Sequence, residues 1–379
     1  MKVQKKSAPS SCLAALALLG MFTVLLLVCF TVTDGKVLES AIDFYQTGTW
    51  WDDDWQEHDS LAGMTFTFKP YGTVVAAGVL AALSAAFFLD GRKHAKRYCV
   101  FSLIAVIGGL ALSRLLYCAI CPFYYTAHYL PSGTLFRLWD GGMSMVGALL
   151  GVLLAGVLVP DSRGCVPLAA PLLIAGARMA ERFSNQIGHG FQVGFDNFLS
   201  VERGWGYRLN VHFIETVMAL LIFGMVLLLP AILRGQTDGK RGAAMRMPAF
   251  LTVYGITQIL MESLRKDEHM VWGFVKVQMI LYLFMAMLGM AMVCYGGKPL
   301  TDFKRNRWCY GLLVSMISAV LLIGFEFALD KSDIPDGLIY VFYVLVLIFY
   351  LVMFFRQMRR RLQPPKGMEK ESAGFRGFP

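Results

Sequence analysis

Long runs of apolar residues, separated by short polar segments, dominate the chain. Ten runs of roughly 16 to 25 residues are near the length that an α-helix needs to cross a lipid bilayer. The pattern therefore predicts an all-α protein, a polytopic integral membrane bundle of about ten transmembrane helices. The runs cover approximately residues 12–32, 71–90, 98–120, 141–160, 165–183, 209–233, 249–264, 274–295, 308–329 and 336–355.

The overall composition supports a membrane protein and argues against a nucleic-acid-binding one. Hydrophobic residues make up 56% of the chain and charged residues 16%, and a soluble domain cannot bury so many apolar side chains. The formal net charge of +9 comes from short basic clusters between the apolar runs. Such clusters are typical of membrane topology signals rather than of a phosphate-binding face, so we expect no nucleic-acid partner.

The charged loops predict the orientation of the helices. With the N-terminus inside, ten spans place every charge-rich loop in agreement with the positive-inside rule, and both termini are predicted to be cytoplasmic. Residues 12–32 resemble a signal peptide, but their length and the lack of a cleavage motif favour a retained first helix. The basic inside segments are 92–97, 234–246, 298–307 and 356–361, and the acidic outside segments are 51–55 and 330–336.

Eight ionisable residues lie inside the predicted helices or at their edges, and the predicted topology puts all of them in the outer half of the membrane. A charge at the centre of a span costs about 2.5–3.5 kcal/mol. Two interpretations are open: ion pairs that only fix the bundle, or a polar cavity open to the outer leaflet, which the number of charges favours. The eight residues are Arg114, Asp140, Arg178, Glu181, Arg182, Glu215, Glu262 and Arg265.

Arginine clusters suit the recognition of phosphate through paired hydrogen bonds. At the outer leaflet, the most abundant anionic phosphate is a phospholipid headgroup. The charges therefore predict a membrane protein that binds an anionic lipid headgroup from outside. The carboxylates could hold the arginines or act as general bases, and the sequence leaves both roles open.

Other side chains near these charges have structural and functional interpretations. Asp140 can cap the helix that follows it, and Gly141 and Gly142 allow a backbone or ligand to approach closely. Tyr71 and Tyr254 are either interfacial anchors or hydroxyl groups that line a site. His189 and His212 are more often structural in such positions. Cys118 and Cys121 are spaced C-x-x-C near a helix end, where a disulfide is one possibility.

Several of these residues belong to motifs that resemble the prolipoprotein diacylglyceryl transferase family. The most specific is 139–149, WDGGMSMVGAL, which resembles the family's W-x-G-G-M-S-x-H-G-G-L. The resemblance extends from about residue 69 to 284, with order and spacing kept. The other matching segments are 69–72 (KPYG, similar to R-x-Y-G), 109–117 (with Arg114 and Tyr117 of G-x-R-x-x-Y), 177–185 (ARMAERFSN, similar to G-R-x-x-N-F-x-N-G-E), 213–215 (the end of H-P-x-Q-L-Y-E), 254–265 (YGITQILMESLR, similar to Y-G-x-x-R-x-x-x-E-x-x-R) and Gln278.

The resemblance implies a reaction, a location and a set of site residues. The family transfers the diacylglyceryl group of phosphatidylglycerol to the lipobox cysteine of a prolipoprotein signal peptide, at the outer face of the bacterial cytoplasmic membrane, without a metal or other cofactor. Arg178 is the expected phosphate-binding residue. The predicted catalytic residues are Arg178, Glu181, Tyr254 and Glu262, and the predicted substrate-binding residues are Tyr71, Arg114, Asp140, Gly141, Gly142, Ser144, Arg182, Glu215 and Arg265.

The resemblance also divides the chain into four predicted regions. Residues 1–68 form a transmembrane helix and an outer acidic and aromatic loop, and 69–297 form the transferase-like core. Residues 298–362 form two additional helices, and 363–379 are a predicted disordered cytoplasmic tail.

This chain departs from the family's motifs at several positions, one of which is Gln186, where the family has a glutamate. Val146 replaces the family histidine, Gln258 replaces an arginine, and Glu181 replaces an asparagine, while Leu209 and Ile214 replace a histidine and a tyrosine. The first hypothesis is a divergent, working transferase. The second is a catalytically inactive or repurposed homologue that binds phospholipid or lipoprotein. A transporter is a third and weaker hypothesis.

Overall fold

The computed structural model describes residues 30–32, 64–66, 70–120, 143–183, 190–194, 196, 198–203, 206–233, 239–265, 271–272, 275–295 and 302–362. This part of the chain contains ten α-helices and seven strands of two to four residues. The helices are α1 (Pro70–Leu89), α2 (Ala95–Ile120), α3 (Met145–Leu158), α4 (Val166–Ala180), α5 (Val211–Ile232), α6 (Gly239–Ala244), α7 (Arg246–Leu264), α8 (Val277–Tyr295), α9 (Asp302–Lys331) and α10 (Asp336–Leu362).

Six helical segments among the described residues are long and apolar enough to cross a membrane, which confirms the predicted class of polytopic helical membrane protein. Each predicted apolar run from residue 71 onward coincides with a helix. However, α3 and α4 have only 14 and 15 residues, and at 1.5 Å per residue they extend over about 21–23 Å, less than the apolar thickness of a bilayer. The six segments are Tyr71–Leu89, Gly91–Ile120, Val211–Ile232, Val277–Tyr295, Leu313–Lys331 and Asp336–Leu362.

The described strands are antiparallel and lie in the connections between helices, where the all-α prediction had none. β1 (Phe30–Val32) pairs with β2 (Met64–Phe66), so the last three residues of the predicted first span are extended rather than helical. The rest of that span lies outside the described residues. β3 (Gln192–Val193), β5 (Gly206–Leu209) and β4 (Ser200–Arg203) form a three-stranded sheet in that order, and β6 (Val271–Trp272) pairs with β7 (Val275–Lys276).

The chain folds as two compact units. The first comprises Met1–Gly224 and Met261–Leu281, and the second comprises Met225–Leu260 and Tyr282–Pro379. The four predicted regions remain a prediction.

Glycines set the packing of the first unit. In the α2–α3 pair, an added Cβ on Gly151 would lie 2.3 Å from the Gly109 nitrogen, and one on Gly147 would lie 2.3 Å from the Leu112 oxygen. In the α1–α4 pair, an added Cβ on Gly78 would lie 2.7 Å from the Cα of Gly176. Only helices that carry small residues at these crossings can approach so closely.

Replacing Gly151 by alanine should destabilise the first unit, whereas the same change at Gly224 should not. An alanine Cβ at position 151 meets backbone atoms of α2, so the two helices must separate, at a cost of about 1–3 kcal/mol. An added Cβ on Gly224 meets no described atom within 4 Å, and alanine is the better helix former by about 1 kcal/mol. Thermal unfolding in detergent checks this pair of variants. Equal unfolding temperatures for the two would contradict the close α2–α3 contact.

Hydrogen bonds of the second unit secure its last two helices. α9 packs against α10, and the hydroxyl groups of Ser315 and Tyr350 lie 3.0 Å apart between them. Arg361 donates to the backbone oxygens of Met292 and Val293 in the last turn of α8. An arginine in this position satisfies carbonyl groups that have no partner within their own helix.

Among the cysteines of the described segments, Cys118 and Cys165 carry free thiols. The disulfide considered between Cys118 and Cys121 is therefore not formed. Cys165 is buried in the turn between α3 and α4, where burial and, secondarily, the carboxylate of Asp90 raise the pKa of its thiol to about 12. At that pKa the group stays protonated and unreactive at neutral pH.

Candidate functional site

Four of the predicted site residues, which come from three distant parts of the sequence, meet in one cluster of ion pairs in the first unit. Arg178 lies in the last turn of α4, Glu181 in the short 3-10 turn after it, Glu215 in the second turn of α5, and Arg265 directly after α7. We call these four residues the ion-pair cluster. Its formation supports the expectation that the membrane charges gather at one place.

The two carboxylates of the ion-pair cluster bridge the two guanidinium groups. The Nε of Arg178 lies 3.2 Å from Oε2 of Glu215, and the Nη2 of Arg265 lies 3.4 Å from Oε2 of Glu181. Arg178 also contacts Oε1 of Glu181, and Arg265 contacts Oε2 of Glu215. Each arginine therefore pairs with both glutamates.

The burial of the ion-pair cluster determines how strongly its charges interact. Arg178 and Arg265 are each 5% exposed and Glu215 is fully buried, whereas the Glu181 side chain is 18% exposed. Charges removed from water attract one another more strongly, but each also loses its hydration, so none of them can be left without a partner. Glu181 is the carboxylate of this cluster that another molecule can reach.

Local backbone structure holds the arginines and their neighbours in place. Arg265 pairs with Gly190 in an isolated β-bridge, and the backbone oxygens of Glu262 and Arg265 both accept hydrogen bonds from Lys276 Nζ, at 2.9 and 2.6 Å. Lys276 ends the β6–β7 hairpin. The sequence argument missed this residue, although a lysine next to the first turn of a membrane helix is a signal that could have indicated it.

Two further side chains come within electrostatic range of the cluster. Tyr71, at the start of α1, interacts with the charges of Glu181 and Arg178, and α1 packs against the turn that carries Glu181. His212 is buried one helical turn before Glu215 and interacts with Glu181. Tyr71 thus lies near the ion-pair cluster, and its role as a residue that lines a substrate site remains a prediction.

Glu262 brings a third buried carboxylate to the same place. It lies one turn before Arg265, is fully buried, and interacts electrostatically with Arg265 and Glu215. Neither of its carboxylate oxygens has a hydrogen-bond donor among the described residues, and the same holds for Oε1 of Glu215. Three carboxylate oxygens of the site therefore have no hydrogen-bond donor among the described residues.

The remaining predicted site residues are placed differently. Arg114 is buried within α2. Ser144 caps α3, with its hydroxyl accepting from the backbone nitrogen of Gly147. Tyr254 belongs to the second unit, where it stacks on Phe250 with ring centroids 5.7 Å apart. Arg182 is exposed beside Glu181. Asp140, Gly141, Gly142 and the considered His189 lie outside the described residues, and the roles of all these residues remain predictions.

Two of the departures from the family's motifs are buried. Val146 is 2% exposed in the first turn of α3, and Gln258 is 2% exposed in α7, one turn before Glu262. Each position faces the protein interior, so the replaced histidine and arginine have no counterpart at these two points of the chain. Any proton acceptor or additional cation must come from other side chains.

The fold and the buried charges define a polytopic helical membrane protein with a polar, ion-paired site. The sequence model of the family described as "Prolipoprotein diacylglyceryl transferase" matches residues 60–295. The chain therefore belongs to the prolipoprotein diacylglyceryl transferase family. All four residues of the ion-pair cluster, together with Glu262 and Lys276, fall inside the matched range.

Bacterial relatives of this chain carry the name phosphatidylglycerol–prolipoprotein diacylglyceryl transferase. The protein of Symbiobacterium thermophilum is 25% identical over 213 residues, which cover 52% of this chain and 75% of the relative. That of Listeria monocytogenes is 23% identical over 245 residues, covering 61% and 86%. That of Azospirillum brasilense is 28% identical over 193 residues, covering 47% and 68%.

Proposed function

We propose that the protein transfers the diacylglyceryl group of phosphatidylglycerol to the lipobox cysteine thiol of prolipoproteins, at the outer leaflet of a bacterial cytoplasmic membrane. The observation that carries the proposal is the buried ion-pair cluster, which presents two arginines within the family's matched range. The positive-inside pattern of the charged loops supports a cluster near the outer leaflet and both termini in the cytoplasm as parts of this proposal.

The proposed reaction needs a thiolate and a stabilised leaving group. The cysteine sulfur forms a bond to the carbon of the diacylglyceryl group that carries the phosphate. The bond from that carbon to the phosphate oxygen breaks at the same time, which releases glycerol phosphate. Arg178 and Arg265 stabilise the negative charge on the departing phosphate. The thiol proton passes to a carboxylate, and Glu181 is the one of the three that is partly exposed.

The test uses the purified full chain in detergent with labelled phosphatidylglycerol and a synthetic lipobox peptide. We expect label to appear on the peptide, and a peptide with serine in place of the lipobox cysteine to remain unlabelled. A motif-complete relative serves as the positive control. Absence of transfer under conditions in which the relative works would contradict the transferase proposal.

A second candidate function is the binding of phospholipid or lipoprotein without transfer. The observation that favours it is that both arginines are already paired with Glu181 and Glu215, so a phosphate must compete with two internal carboxylates. Val146 and Gln258 add neither a proton acceptor of histidine type nor a cation. Lipid binding without label transfer is the result expected for this candidate.

A further inference from the structure

We propose that Arg92 and Lys96 bind the headgroups of anionic phospholipids, in the leaflet opposite to the one that faces the ion-pair cluster. The two ends of the first unit are well separated, because α4 begins at Val166 beside this surface and reaches the cluster at Arg178. At 1.5 Å per residue, that distance is about 18 Å. The surface shares no residue with the ion-pair cluster, so the inference does not depend on the proposed function.

Two short turns meet to form this surface. The turn between α1 and α2 packs against the turn between α3 and α4, and an added Cβ on Gly164 would collide with the carboxylate of Asp90. Residues 90–97 and 160–165 together carry five Lys and Arg side chains but only two carboxylates. We call these two segments the basic face.

Internal contacts occupy three of the five cations. Lys93 donates a hydrogen bond to Asp90 at 2.8 Å, and Arg97 is ion-paired with Asp161. Arg163 donates to a backbone oxygen of α3 at 3.1 Å. Both carboxylates of the basic face are therefore already paired, and they leave the remaining two cations without a counterion.

Arg92 and Lys96 are these two cations. Both are exposed, and neither has a carboxylate partner among the described residues. The guanidinium of Arg92 lies over the ring of Phe88, 4.4 Å from the ring centroid. Phe88 is 54% exposed in the last turn of α1, within a segment that is long and apolar enough to cross a membrane. The stem of Arg92 thus follows a lipid-facing surface, and its charge lies at the depth of the phosphate groups.

This setting favours a lipid over a soluble anion. Phosphate of a headgroup contacts the cations, while acyl chains cover the exposed side chains of Phe88, Val100 and Leu103 on α1 and α2. Each Lys or Arg near an anionic membrane surface strengthens binding by about fivefold. A basic segment that only orients the helices requires charge but no particular position. A binding surface, in contrast, requires that Arg92 and the neighbouring Lys93 have unequal effects.

The experiment places the full chain in nanodiscs of phosphatidylcholine that contain a small fraction of a lipid with a photoactivatable acyl chain. The probe is either phosphatidylserine, which is anionic and is not the lipid of the proposed reaction, or phosphatidylcholine. Adducts are mapped by peptide mass spectrometry after irradiation. We expect at least about tenfold more adduct from the anionic probe at the end of α1 and the start of α2, since two cations contribute. Equal labelling by the two probes would overturn the inference.

Single substitutions test the assignment to the two residues. Arg92→Gln and Lys96→Gln should each lower the preference for the anionic probe by about fivefold. Their unfolding temperatures should not change, because both side chains are exposed. Lys93→Gln is the matched control, since it removes the same charge from the same turn, but from a side chain that is paired with Asp90. A preference kept in Arg92→Gln, or lost to the same extent in Lys93→Gln, contradicts the proposal.

Inorganic phosphate distinguishes a lipid from a free anion as the ligand. Phosphate in excess over the photoactivatable lipid, at constant ionic strength, should leave the labelling preference unchanged. Loss of the preference would show that the basic face binds phosphate without a lipid, and would overturn the assignment to a headgroup.

Discussion

Arg178→Ala should lower diacylglyceryl transfer by at least about 100-fold, which is the effect expected when a charge that stabilises a leaving group is removed. The arginine is 5% exposed and pairs with Glu181 and Glu215. Arg265 pairs with the same two carboxylates, but one guanidinium group supplies only half of the positive charge of the cluster. The rate of label transfer to the lipobox peptide is the measurement.

Loss of folding must be separated from loss of chemistry in this variant. Removing one partner of a buried ion pair costs about 3–5 kcal/mol, because the carboxylate of Glu215 would then depend on Arg265 alone. Arg178→Lys keeps the positive charge but loses the planar, two-point contact, so we expect it to fold and still to transfer slowly. Arg208→Ala removes an exposed arginine of β5 and should match the original protein. A folded Arg178→Ala protein that transfers at the original rate would falsify the proposed role.

Glu181→Gln should lower transfer by about 100-fold at pH 7 if this carboxylate receives the thiol proton, as general-base contributions are of this order. Glu181 is the expected acceptor because its side chain is 18% exposed, whereas Glu215 and Glu262 are fully buried. It also occupies the position at which the resembling motif has an asparagine. The replacement of an amide by a carboxylate is the change that could substitute for the histidine absent at Val146.

The pH profile distinguishes a proton acceptor from a structural counterion. Without an acceptor, the reaction depends on thiolate already present in solution, so the rate of the variant should rise about tenfold per pH unit below the cysteine pKa of about 8.5. The original protein should show a shallower rise. Asp196→Asn, at an exposed position of the first unit, serves as the control. An unchanged rate and profile in Glu181→Gln would exclude this residue as the acceptor.

The ion-pair cluster shows how far the sequence could predict the site. Arg178 and Glu181 are three residues apart at a helix end, so their contact could be expected from local spacing alone. Glu215 and Arg265 are 50 residues apart, and the sequence indicated only that both belong to the same half of the membrane. Which carboxylates bridge the two arginines is decided by the packing of the helices. The C-terminal ends of α4 and α7 lie near the N-terminal end of α5.

Other residues were predicted for one role and placed in another setting. Ser144 was expected at a substrate site through its motif, and it caps α3 in the structure. Tyr254 was grouped with Tyr71, yet the two belong to different units. Lys276 was not predicted at all, because its contacts with two backbone oxygens exist only after the β6–β7 hairpin has formed. Sequence motifs gave the residue types without their neighbours.

The sequence by itself determined that this is a helical membrane protein and where its long helices run. That property is local, because a run of about 20 apolar residues must satisfy its own backbone hydrogen bonds in a bilayer whatever its neighbours are. The tertiary structure alone decided the helix pairing through Gly151 and Gly78, the short strands, and the partners of each buried charge. These depend on contacts between segments far apart in the chain, where the cost of burying a charge is compensated only by the particular groups that packing brings to it.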